Sequence, residues 1–139
     1  MYHKVIIVGN LGRDPEMRYT PDGTAVTEFS VATNYRRNRS DGTQLDETTW
    51  FRVTAWRQLA ELCNQYLSKG RQVLVEGRLR PDENGGPRVW TGNDGQPRAS
   101  FEVTAITVRF LGGRGEGVDT TISSQEPPPP ELGEDEIPF

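Results

Sequence analysis

One stretch of this 139-residue chain, "RQLAELCNQYLSK" at 57–69, repeats its apolar residues with a helical period, while the other apolar runs alternate or are short and β-branched. Leu59, Leu62, Cys63, Tyr66 and Leu67 fall at i, i+3, i+4, i+7 and i+8. This spacing predicts a helix over 57–69, with Lys69 in its last turn and Gly70 just past it. No Ser, Thr, Asp or Asn stands ready to cap its start. One helix among strands restricts the chain to folds in which a sheet supplies most of the core.

The strands are marked by their punctuation. "KVIIVGNL" is apolar, β-branched and closed by Gly12, and the following "RDPEMRYTPDGT" reads as a loop holding the turn signal Pro21-Asp22-Gly23. In "TAVTEFSVATN", Ala25, Thr27, Phe29 and Val31 share one face and Glu28, Ser30 and Asn34 the other. Residues 35–47, "YRRNRSDGTQLDE", are polar and read as a long hairpin loop. After the strand "TTWFRVTAW" and the helix comes "RQVLVEGRLRP", with Val73, Val75, Gly77 and Leu79 on one side and Arg78 and Arg80 on the other. Two glycine turns around Val89-Trp90 predict a protruding hairpin, and "ASFEVTAITVRFL" is a last long strand. About five antiparallel strands with one helix between the third and fourth is the layout of an OB-fold barrel, all-β apart from that helix.

Within "TTWFRVTAW", Phe51, Val53 and Ala55 share one face and Trp50, Arg52, Thr54 and Trp56 the other. Two readings are open at this point. Trp50 and Trp56 with Arg52 form a surface on which nucleobases stack, each contact being worth about 1–3 kcal/mol, or the tryptophans are core and Phe51 and Val53 cover a second layer.

Net charge is −4, but it is unevenly placed: residues 1–111 hold 15 Lys and Arg against 13 Asp and Glu, a balance of +2, and residues 112–139 hold one against seven, a balance of −6. A mildly basic body with an acidic appendage suits a polyanion-binding domain. A hydrophobic content of 33% is low for a chain ordered throughout. No apolar stretch approaches the length of a membrane span, and the N-terminal run reads as a strand rather than a signal peptide. The lone Cys63 permits no internal disulfide, so a cytoplasmic setting is expected. Catalysis, metals and cofactors are not expected: the chain has one histidine, His3, no zinc-ligand spacing and no phosphate-cradling glycine motif, and its neighbouring carboxylates fall in predicted loops.

"KVIIVGNLGRDPEMRYTPDGTAVTEFSVATN", "TWFRVTAWRQLAELCNQYLSKGRQVLVEGRLR" and the closing "DEIPF" resemble the bacterial-type single-stranded DNA-binding proteins. The resemblance runs almost continuously over residues 1–111 and returns at the last few. It implies an OB-fold homotetramer that binds single-stranded DNA with little sequence preference. It places the family's stacking aromatics on Trp50, Trp56 and Trp90, in agreement with the first of the two readings. In the loop after the second strand, where relatives carry a further aromatic, "NYRRNR" offers Tyr35, or Arg36 in its place, and Arg36 and Arg37 can also serve phosphates. Lys4, Arg52, Lys69, Arg80 and Arg88 are the expected phosphate partners. The segment "PDENGGPR" before Trp90 is longer than in many relatives. No reader of a 2′-hydroxyl is evident, so an OB-fold RNA-binding or protein-bridging module is the alternative.

Residues 112–133 have Gly, Ser and a four-proline run without periodicity and read as a linker. In the tip "EDEIPF", Phe139 can enter an apolar pocket while its carboxylate, Asp135 and Glu136 meet basic side chains at the rim. A solubilising tail would explain the acids but not Ile137, Pro138 and Phe139. The resemblance implies that Glu134, Asp135, Glu136, Ile137, Pro138 and Phe139 recruit replication, recombination and repair proteins. The expected organisation is an OB-fold single-stranded DNA-binding domain at 1–111, a linker at 112–133 and a recruiting tip at 134–139, in a cytoplasmic, nucleoid-associated protein.

Overall fold

Alternation along β1 (Val5–Leu11) sends Ile7 and Leu11 into the core and leaves Ile6 and Val8 exposed. In this computed structural model, which describes residues 1–112, the remaining elements are β2 (Glu16–Tyr19), β3 (Ala25–Asn38), β4 (Gln44–Trp56), α1 (Arg57–Tyr66), β5 (Gln72–Leu79), β6 (Arg88–Thr91) and β7 (Pro97–Phe110). β1 pairs with β5, β5 with β7, β7 with β4 and β4 with β3. β3 returns to β1 through Asn10↔Ala32 and Leu11↔Val31. Five strands thus close into the expected OB-fold barrel, antiparallel as expected except that β4 and β7 run parallel, since α1 and β5 lie between them in the chain and act as a crossover; β2 and β6 are added outside it on β3 and β7.

The inward positions of these strands form one cluster in which Phe29, Val31, Val53, Val73, Val75, Val103 and Val108 are buried. Helix α1 lays Ala60 and Cys63 against it, and the Thr27 hydroxyl donates to the Ala60 carbonyl at 2.7 Å, joining sheet to helix through a satisfied buried polar pair. Burial pushes the Cys63 thiol up to about 12, so it stays protonated and acts as a core residue. Where β7 carries one extra residue, Ile106, opposite the step from Glu76 to Gly77, a Cβ on Gly77 would collide with the Thr104 carbonyl oxygen and lie 2.9 Å from Val103 Cγ1, so the close approach of β7 requires glycine there.

Four sequence expectations change. Residues 16–19, read as loop, form β2, whose Arg18 pairs in register with Val26. Residues 35–47, also read as loop, are largely the arms of a ribbon: β3 and β4 stay paired out to Asn38↔Gln44 around a turn in which Gly42 has φ 89°. Backbone pairing needs no apolar face, and the ribbon's polar side chains satisfy one another, as Arg36 does with Asp46 at 2.9 Å and Arg37 with Glu47 at 3.3 Å. The helix stops at Tyr66 rather than Lys69, because Leu67, whose N–H makes the last helical bond to the Cys63 carbonyl, turns to an extended backbone. Gly70, at φ 86°, serves the turn in which the Arg71 N–H donates to the Ser68 carbonyl. Leu79, assigned an inward face, is 47% exposed: it lies beyond the last β1–β5 pair, Val5↔Gly77, at the end of the barrel, where its N–H donates to the His3 ring at 3.0 Å.

Candidate nucleic-acid interface

Cross-strand partners share a face of a sheet. The register sets Trp50 beside Ala32, Arg52 beside Ser30 and Glu102, and Trp56 beside Val26. On the far side of β7, Ser100 stands beside Arg88 and Arg98 beside Trp90. One sheet face therefore carries Trp90 and Arg88 on β6 together with Trp50, Arg52 and Trp56 on β4. Trp50, Trp56 and Trp90 are 53%, 39% and 38% exposed, so the reading that placed the first two in the core does not hold.

The β4–β7 ladder begins at Phe51↔Phe101, and outside that pair the strands part. A shallow cleft of about 400 Å³ opens there, with Trp50, Arg52, Trp90, Phe101 and Arg13 among the residues that line it. Trp50 rests on Gly12, where an added Cβ would lie within 2.6 Å of the ring. The Arg88 guanidinium sits 5.6 Å from the Trp90 ring centre and donates to Glu102 at 3.3 Å, while the Ser100 hydroxyl donates to the same carboxylate oxygen at 2.9 Å. Arg52 donates through Nε and Nη2 to one oxygen of Glu28 at 3.0 and 2.6 Å, and Arg18 donates to the other at 2.8 Å. Burial opposes ionisation of Glu28, but the hydrogen bonds and charges of Arg52 and Arg18 outweigh it and hold the carboxyl below its usual range. The Glu28 hydrogen bond in turn raises Arg52 further. The acids of this face hold its arginines in place.

The other candidates are more scattered. Arg80 lines an adjoining hollow with Arg88 and Glu102. Arg36 is in phase with Trp50 along the ribbon through Asn34↔Thr48 and Arg36↔Asp46, whereas Tyr35, 64% exposed, and Arg37 have the opposite phase. Lys69 follows the helix, with its N–H donating to Asp14 at 2.8 Å. Lys4 lies outside the cleft in a hollow with His3 and Arg78, ion-paired with Glu76 at 3.2 Å, whose hydrogen bond raises its pKa. The linker from residue 113 onward and the tip 134–139 lie outside the described residues. Phe101 and Arg13 were not singled out by sequence reasoning. Among the described residues no group of His, Cys, Asp and Glu could hold a metal ion, and no helix is long and apolar enough to cross a membrane.

A closed five-strand barrel with one helix, presenting aromatics and arginines on one face, defines an OB-fold binding protein. The chain belongs to the single-strand binding protein family, whose model matches residues 2–111; this is a family of binding proteins rather than enzymes. The chain is 44% identical over 114 residues to the single-stranded DNA-binding protein of Neisseria meningitidis serogroup B, covering 82% of this chain and 62% of that one. It is 45% identical over 115 residues to the single-stranded DNA-binding protein of Xanthomonas axonopodis pv. citri, covering 83% and 61%. It thus spans somewhat less than two thirds of the length of these curated relatives. A solved structure of the Plasmodium falciparum SSB in complex with single-stranded DNA matches with a TM-score of 0.65 at 29% identity, covering 80% of this chain and 96% of that one.

Proposed function

We propose that this chain binds single-stranded DNA without sequence preference and protects it during replication, recombination and repair. The observation that carries the reading is the shared face of Trp50, Trp90, Arg52 and Arg88, where exposed indoles stand beside cations. A single strand has unstacked bases that gain from any aromatic surface, and its phosphates release counterions to arginine. Duplex DNA keeps its bases paired and stacked, so it binds poorly. Family membership and the names of the relatives support DNA as the polymer. Trp56 extends the stacking face, Arg80 continues the basic path beside Arg88, and the ribbon bearing Tyr35, Arg36 and Arg37 adds contacts beyond the cleft. Lys4 and Lys69 serve phosphates outside it.

The same reading divides the chain into a DNA-binding domain at 1–111, a linker at 112–133 and an acidic tip, Glu134–Phe139, that recruits partner proteins. Assembly as a homotetramer is supported by exposed apolar side chains away from the cleft, Ile6 at 62% and Val8 at 47% on β1 and Ile106 at 39% on β7. A DNA-bound protein of this kind works in the cytoplasm at the nucleoid.

Tryptophan fluorescence during titration with poly(dT) tests the proposal, with duplex DNA and poly(rU) as comparisons at low and high salt. Strong quenching by poly(dT), a weak response to duplex and weaker affinity in high salt are expected. A chain that neither quenches nor binds would sink the proposal, and tighter binding to poly(rU) would turn it toward RNA.

A further inference from the structure

Phe101 is 56% exposed, although its pleat phase is that of the buried Val103 and Ala105. The cause is a difference in strand length. β5 covers β7 only as far as Leu79↔Val103, so the next inward position, Phe101, faces the open end of the barrel. Its ring is supported by Phe51, with centroids 5.8 Å apart and planes at 41°, and Phe51 is itself half-buried against the core. Phe101 also lines the cleft that it shares with Trp50 and Trp90.

We infer that Phe101 is a further stacking residue of this interface and that the cleft where β4 and β7 part is the seat of one unpaired nucleobase. This rests on the proposed binding of single-stranded DNA. The occupant follows from the lining: aromatic rings on both strands take a flat base, and Arg13 and Arg52 beside them complement the phosphates on either side of it. The supporting contact with Phe51 fixes the Phe101 ring before the base arrives, so little ordering remains to oppose stacking.

The test uses the full chain and labelled oligo(dT), with an abasic oligomer of the same length. Phe101→Ala should weaken oligo(dT) binding about five- to tenfold. It should narrow the affinity gap between oligo(dT) and the abasic oligomer, and leave the salt dependence unchanged because no charge is removed. Phe101→Tyr should bind like the unaltered chain, as should Val89→Ala, a change at a 61% exposed apolar position of the same hairpin. If the alanine variant fails to fold, Phe101→Leu keeps apolar volume over Phe51 and removes the π-face, and the same loss is expected of it. An unaltered chain that binds oligo(dT), together with folded Phe101 variants that bind equally well and keep the full abasic gap, overturns this inference alone. An unaltered chain that does not bind overturns the parent reading and this one with it.

Discussion

Glu28 places a carboxylate in the middle of a face that otherwise suits a polyanion, and its hydrogen bonds account for its presence. By accepting from Arg52 and Arg18 it turns two flexible side chains into held donors. Its pKa is lowered from 4.5: burial alone would raise it, and the arginines more than compensate. A carboxyl whose folded-state pKa is depressed contributes stability above its unfolded value and loses that contribution as pH falls through the folded value. Below pH 4.5 the thermal midpoint of Glu28→Gln should therefore fall less steeply than that of the unaltered chain, and parallel profiles would show that the pairing contributes nothing. At this scale pleat alternation was enough to set Trp50, Arg52 and Trp56 apart from Phe51, Val53 and Ala55. It could not reveal that Phe101 is uncovered, because that depends on where another strand ends.

At the scale of elements, the passage from β4 into α1 is the least relaxed joint. Trp56 is extended and caps nothing with its side chain, and Arg57 takes φ 59° in the left-handed region, the one non-glycine among the described residues with a positive φ. A residue bearing a Cβ is disfavoured there by about 1–2 kcal/mol, and glycine is not, although glycine loses more backbone freedom on folding. Arg57→Gly should consequently stabilise the chain by up to about 1 kcal/mol in urea unfolding; a loss of stability would contradict this account. The helix itself was legible from its apolar period, but its length was not. Leu67 continues the helical spacing yet is extended and buried, its place set by the barrel it closes against. The β3–β4 ribbon escaped notice because its outer pairs are polar, and the signals for a strand are apolar ones.

Across the whole molecule the charge is divided, −6 beyond residue 111 against +2 before it. If the chain binds single-stranded DNA as proposed, attraction between an acidic tip and a basic body would set the tip in competition with DNA where screening is weak. Deleting residues 134–139 should tighten oligo(dT) binding modestly at low ionic strength, with the difference disappearing in high salt. Equal affinities at low salt would rule out the competition. The sequence by itself determined the strand faces, the position of the single helix and the charge division, since pleat period, helical period and turn chemistry act between near neighbours along the chain. Only the tertiary structure decided the β1–β3 closure, the parallel β4–β7 ladder, the pairing of Glu28 and Glu102 with arginines and the cleft at Phe101. Each of these depends on which distant segments meet and where each strand stops, and that is settled by burying one common core.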